Sequence, residues 1–295
     1  MEAARGRSLP RAIARRLLRL TFLLLLLGLA VYLIVSPAFA ERFVFLPDSS
    51  DPGSPPTLSG VPGREVSLEA SDGIRVRGWW WATDPDAPAV LFFHGNAGHL
   101  GHRTFTASQL VERGLSVFIL GYRGYGGSEG TPSEEGVLKD GAAALEWLAR
   151  EVGGVDRIVL HGRSLGGFVA LRVAKQAAVA PAGVVVESSF TSLEEMARRV
   201  YPFLPRFLLA RLRGHFDNLN AAGTIDRPLL VIHGTADELI PFEMGERIVA
   251  AAGERAVWLP IPGAGHNDLP LVAGPEYWDR VASFVRRHAG GAPDQ

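Results

Sequence analysis

Cysteine is absent from the 295 residues of the chain. That excludes disulfides, thiol nucleophiles and thiolate metal sites, and makes the chain indifferent to the redox state of its compartment. Lysine is scarce too, with only Lys139 and Lys175. Neither sign of charge is in excess, since 30 basic residues face 31 acidic ones. The balance is nevertheless uneven along the chain. Arg5, Arg7, Arg11, Arg15, Arg16 and Arg19 stand near the start against Glu2, and the remainder carries 24 basic and 30 acidic residues. A nucleic-acid-binding domain needs the opposite sign, so nucleic acid is not an expected partner. Apolar residues reach 47%, which excludes global disorder and permits a large core. The length suits one α/β domain of ordinary size with a short appendage.

What the chain does have is one long apolar run. Residues 17–35 read LLRLTFLLLLLGLAVYLIV, with Arg19 as the only charge. As a helix this run spans about 28 Å, close to the hydrocarbon thickness of a bilayer. Arginines precede it and none follows until Arg42. The positive-inside rule then keeps residues 1–16 in the cytoplasm and places the rest outside it, periplasmic or extracellular. The alternative is a signal peptide cleaved after Ala40, since Ala38-Phe39-Ala40 has the small-x-small form, and the protein is then secreted. The run is longer than the usual apolar region of a signal peptide, about 7 to 15 residues, which favours a retained signal-anchor helix.

Residues 36–63 include a Pro-, Ser-, Gly- and Asp-rich stretch from 46 onward and read as a linker. The segments 64–69 and 74–81 alternate apolar with polar residues around Ser71-Asp72-Gly73, as in a hairpin. Apolar runs then follow at 89–93, 116–120, 158–160, 183–186, 228–232 and 256–259. Most are separated by segments of helical spacing, such as 133–151, 165–178 and 241–252, and a last helix is expected at 276–287. Strands buried on both faces and separated by helices predict an α/β fold with a mostly parallel, eight-stranded sheet flanked by helices. Chemistry in such sheets sits in the loops at the strand carboxyl ends. The expected domain covers 64–288, with a flexible tail at 289–295.

The motifs fall in those loops. Gly162-Arg163-Ser164-Leu165-Gly166 follows the run 158–161 and precedes a helix, the strand–turn–helix setting of a nucleophile elbow. Ser164 is the expected nucleophile. A serine hydroxyl needs a base, and the base an orienting acid, in the chain order Ser, Asp or Glu, His. Asp237 follows the run 228–232 and His266 follows 256–259, each in a loop, so the order is met; Glu238 competes with Asp237. The oxyanion needs N–H donors. Those expected are Leu165, directly after the nucleophile, and Asn96, in the His94-Gly95-Asn96-Ala97-Gly98 loop after the third strand. His94 precedes the nucleophile and is expected to be structural. Alternation sends Trp79, Trp80 and Trp81 to opposite faces of a strand, so they are read as packing.

These residues, together with Gly121-Tyr122-Arg123-Gly124-Tyr125-Gly126-Gly127-Ser128, resemble the α/β-hydrolase superfamily over 64–288. They resemble in particular its branch of membrane-anchored serine hydrolases, which includes lysophospholipid lipases and protein depalmitoylating thioesterases. The resemblance implies ester or thioester hydrolysis of lipid-like or acylated substrates, with no cofactor and no metal. Gly121 departs from the pattern, where relatives often carry an acidic residue. Arg123 is expected to pin its loop through an ion pair. Residues 192–216 read as a small lid with apolar residues among arginines; Met196, Tyr201, Phe203 and Phe207 are its candidate substrate contacts. A peptidase of the same fold, or a tethered binding protein, remains an alternative. Haloalkane and epoxide chemistry is excluded, because those need a carboxylate where Ser164 stands.

Overall fold

The computed structural model describes residues 11–34 and 36–290. The basic residues 1–10, Val35 at the end of the apolar run, and the tail 291–295 lie outside the described residues. Helix α1 (Arg11–Ile34) holds the apolar run. Its segment Arg15–Leu33 is long and apolar enough to cross a membrane, and none of its residues is fully buried against the protein.

Eight strands form one sheet: β1 (Arg64–Glu69), β2 (Arg75–Trp81), β3 (Ala89–Phe93), β4 (Ser116–Gly121), β5 (Ile158–Arg163), β6 (Gly183–Glu187), β7 (Leu229–Gly234) and β8 (Ala256–Ile261). Their spatial order is β8-β7-β6-β5-β3-β4-β2-β1. β2 is antiparallel to both β1 and β4, and every other neighbouring pair is parallel. Strands β3 to β7 are buried along nearly their whole length. That is why they read as continuous apolar runs, since helices cover both faces.

The flanking helices are α3 (Thr104–Val111), α4 (Glu134–Val152), α5 (Leu165–Gln176), α8 (Asn218–Thr224), α9 (Phe242–Ala252) and α11 (Pro275–Ala289), with the short α10 (Leu269–Ala273) before the last. α4 shows how local chemistry sets such bounds. Ser133 Oγ accepts from Gly136 N–H at its start, Glu134 and Glu135 fill the first turn, and Gly153 ends it at φ 80°. Two apolar cores lie on either side of the sheet. Trp80 joins one, and Trp79 and Trp81 join the other, as alternation predicts. Space is tight at Gly121: a Cβ there would lie 2.6 Å from Leu100 Cδ2, which would have to shift, and 3.1 Å from Arg77 O. Arg123 is buried between Asp72 (2.9 Å) and Asp140 (2.8 Å) and pins its loop as expected.

The linker reading of 36–63 needs correction. Its first part is helix α2 (Pro37–Val44), started by Ser36, whose Oγ accepts from Phe39 N–H, and by Pro37. Glu41 accepts from the Glu134 N–H at the start of α4 (2.9 Å), so a carboxylate from α2 meets a helix N-terminus. Phe45 is buried, 5.9 Å from the ring of Phe216. Residues 46–63 are irregular but attached, through the Leu46–Pro47 pairing with Ala97–Gly98 and a bond from Trp81 Nε1 to Pro56 O (2.8 Å). Composition suggested a free tether because its Pro and Ser prevent regular structure; it does not prevent docking.

Candidate active site

The turn between β5 and α5 puts Ser164 at φ 55° and ψ −118°, a strained conformation for a residue with a side chain. The turn closes so tightly that a Cβ at Gly162 would collide with Gly166 O, and one at Gly166 with Phe93 O. Ser189 Oγ donates to Ser164 O (2.8 Å), and Asn218 Nδ2 donates in turn to Ser189 Oγ (3.0 Å). The strain at 164 is held from several sides.

Loops after β7 and β8 bring the other two residues to it. His266 Nε2 lies 3.2 Å from Ser164 Oγ, and His266 Nδ1 lies 2.8 Å from Asp237 Oδ2. Asp237 Oδ1 accepts from the N–H groups of Leu239 (3.0 Å) and Ile240 (2.8 Å). Burial alone would raise this carboxyl, but hydrogen bonds from His233, His266 and Ile240 N–H hold it well below the usual carboxylate range. It is therefore an anion beside the imidazole. Glu238, the sequence competitor, is exposed and has no bond to His266. The chain can thus relay a proton from Ser164 through His266, with Asp237 orienting the ring.

Asn96 and Leu165 line the same cavity as Ser164 and His266. Among the described residues neither backbone N–H has a hydrogen-bond partner, whereas Asn96 O accepts from Leu46 N–H (2.9 Å) and Tyr125 Oη (2.7 Å). Those two bonds hold the Asn96 carbonyl in place. His94 is buried against Tyr122 and Tyr125, with ring centroids 4.5 and 5.2 Å away, and its Nδ1 donates to Gly95 O (2.7 Å). Burial pushes it down to about 3, so it is neutral at ordinary pH and structural.

The cavity measures about 560 Å³. The lid contributes α6 (Leu193–Val200), α7 (Arg206–Leu209) and a short turn at Ala210–Leu212. Met196, Tyr201 and Phe203 line the cavity as expected. Phe207 does not; it projects outward and is 74% exposed, because α7 buries Leu208 and Leu209 instead. Among the described residues, the cavity lining includes His266 but no carboxylate, lysine or arginine.

Several contributors had no signal in the sequence motifs. Ala40, Phe43 and Val44 of α2 form one wall of the cavity, from a segment read as linker. His233 Nε2 lies 3.3 Å from Asp237 Oδ2 as a second imidazole on that carboxylate. Arg163 Nη2 donates to His266 O (3.0 Å) and Asn267 Oδ1 (3.1 Å), and Arg163 Nε lies 3.2 Å from buried Glu187. Burial would raise Glu187, but Arg163 and His161 hold it down at about 2. Only the His233–Asp237 spacing of four could have been found in advance.

Away from the site, Asp48, His99 and His102 gather potential metal-ligating atoms within 4.8 Å of one another. Each imidazole already uses Nδ1 to accept a backbone N–H, His99 from Gly101 (3.1 Å) and His102 from His99 (3.3 Å). Their Nε2 atoms then carry protons, so the donor set fits a metal ion poorly.

Comparison with known proteins agrees with this fold. The family model described as serine aminopeptidase, S33, matches residues 84–220, which take in the elbow and end before Asp237. The alpha/beta hydrolase domain-containing protein WAV2 of Arabidopsis thaliana is 32% identical over 275 residues, covering 85% of this chain and 89% of its own length. An uncharacterized protein of Mycobacterium tuberculosis is 39% identical over 255 residues, covering 84% of this chain and 88% of its own. An uncharacterized membrane protein of Saccharomyces cerevisiae is 31% identical over 234 residues, covering 78% and 82%. Among solved structures, an esterase from Pyrococcus furiosus superposes with a TM-score of 0.64 at 21% identity, covering 83% of this chain and all of that one. The fold and site thus define an α/β hydrolase. The chain belongs to the α/β-hydrolase family that includes the Arabidopsis protein.

Proposed function

We infer that the protein is a serine hydrolase that cleaves carboxylic esters or thioesters carrying an apolar acyl group. The observation that carries this reading is the Ser164–His266–Asp237 chain of contacts on an apolar cavity without a charged wall residue. His266 Nε2 takes the hydroxyl proton as Ser164 Oγ attacks the carbonyl carbon. The oxyanion accepts from the N–H groups of Leu165 and Asn96, and the imidazolium is stabilised by Asp237. His266 then returns the proton to the departing alcohol or thiol, leaving an acyl group on Ser164. Water attacks the acyl-enzyme as His266 takes its proton; the intermediate then expels Ser164 Oγ, which takes that proton back from His266, and the acid is released. No step calls for a cofactor.

The aminopeptidase description of the matching family model favours a second reading, cleavage of peptides at a free amino terminus. Such an enzyme needs an anion for the ammonium group. Glu187 is occupied by His161 and Arg163, and Glu238 does not line the cavity, so the ester reading is preferred. Membrane tethering through α1 belongs to the same reading, supported by the length of that helix and by the name of the yeast relative. The arginines before α1 favour a cytoplasmic N-terminus and a domain outside the cytoplasm. Ala40 is built into α2 and the cavity wall, which favours a retained anchor over cleavage after it.

A panel of p-nitrophenyl esters, acyl thioesters, lysophospholipids and aminoacyl amides tests the reading, alongside fluorophosphonate labelling. Turnover should rise from acetyl to medium-chain esters, and labelling should map to Ser164. Aminoacyl amides cleaved faster than every ester would replace the ester reading with the peptidase one.

A further inference from the structure

The cavity, the lid and α1 are physically continuous. Leu208, Leu209 and Leu212 of the lid form a small apolar cluster with Val31 of α1 and Ala40 of α2. The Arg211 guanidinium lies over the Tyr32 ring, 3.5 Å from its centroid, and also donates to Tyr32 O. These contacts sit in the last turns of α1, so the lid is held where that helix leaves its apolar stretch. An aromatic such as Tyr32 is the residue type that marks a membrane–water boundary.

The cavity mouth is the second observation. Phe43 (63% exposed), Val200 (57%), Phe203 (77%) and Leu239 (53%) line the cavity and are also open to solvent, so they form its rim. Phe207, in α7 of the same lid, is 74% exposed as well. Arg198, Arg199, Arg206 and Arg213 are exposed on the same lid. Exposed apolar residues set among cations suit the headgroup region of a bilayer, where such elements sink about 5 to 10 Å.

We propose that the lid tip docks in the leaflet from which α1 emerges and that the cavity opens into that leaflet, so that acyl-chain substrates enter from the bilayer. The proposal rests on the ester-hydrolase and tether readings above. It assigns the exposed aromatics a role: they would otherwise stand in water at a cost. It also assigns α2 a role, as the wall that joins anchor to cavity and orients the rim.

The absence of native cysteine allows a clean test on the full chain in vesicles of phosphatidylcholine and phosphatidylglycerol. A nitroxide is attached to Phe207→Cys and, for reference, to Glu254→Cys, which precedes β8 at the opposite end of the sheet. The 207 label should be exposed to oxygen and shielded from an aqueous paramagnetic reagent, and the 254 label should be the reverse. Equal aqueous access at both positions overturns the proposal. So does shielding that follows protein concentration rather than lipid, which would identify a second copy as the occupant. The second arm uses Phe207→Glu, outside the cavity. Hydrolysis of a soluble short-chain ester should stay within about twofold of wild type, while hydrolysis of a bilayer-embedded ester falls about tenfold or more. Equal loss on both substrates overturns the leaflet route. Failure of the underlying readings has separate signatures: soluble-ester turnover that survives Ser164→Ala, or a full chain that does not float with the vesicles.

Discussion

Asp237 meets two imidazoles and two backbone N–H groups, and that surplus of donors is what keeps it charged. Its partners differ in what their loss does. Ser164→Ala should lower kcat by about 10⁶-fold and abolish fluorophosphonate labelling, with the circular dichroism spectrum unchanged. His266→Ala should cost nearly as much, because the base is gone. Asp237→Asn should cost about 10⁴-fold, since the ring is left in the wrong tautomer. Glu238→Gln should leave kcat within about twofold of wild type. Inactivation by Glu238→Gln but not by Asp237→Asn would move the acid role one position along the chain. These three residues were legible in the sequence because each follows an apolar run in the order that the fold demands. Arg163 and Glu187 were not, since their roles arise from side chains of neighbouring strands, and register across a sheet leaves no local trace.

At the scale of elements, the elbow is a packing problem. α5 runs so close to β3 that a methyl group at 166 meets backbone, which cannot move aside. Gly166→Ala should therefore destabilise by at least about 3 kcal/mol, or prevent folding, in urea titration. Strand β6 supplies a second prediction through Glu187 at its end. Its folded pKa of about 2 lies below the ordinary 4.5, so the group stabilises the fold above pH 4.5. That contribution is lost as pH falls through 4.5 toward 2. Glu187→Gln should flatten the acid limb of the stability curve. It should also lower neutral-pH stability by about 3 kcal/mol, by leaving Arg163 and His161 without their anion. An unchanged acid limb would mean that the carboxylate is not the buried anion described.

For the whole molecule, α1 packs on the lid through Val31, and α2 forms a wall of the cavity. The arginine bias before α1 leads to a definite topology. Protease added to intact spheroplasts should digest the domain, and the membrane-extracted chain should have the mass of the uncleaved protein. A domain protected until lysis would reverse the orientation, and a mature N-terminus at Glu41 would replace the anchor with a signal peptide.

The sequence by itself determined the fold class, the order of strands and helices along the chain, the candidacy of Ser164, Asp237 and His266 for one site, and the presence of a membrane-length helix. Each is a local pattern: apolar runs buried on both faces, a glycine-flanked serine between strand and helix, loop residues after successive strands. Tertiary structure decided which face each lid residue presents, turning Phe207 out while Leu208 and Leu209 are buried, and it set Phe43 of α2 on the cavity wall. It decided that Pro37–Val44 is a docked helix and that Arg163 braces the loop of His266. Those outcomes depend on contacts between residues up to about a hundred positions apart, such as Arg163 with His266 and Glu41 with Glu134. No periodicity in the chain encodes such contacts, because they follow from how finished elements pack together.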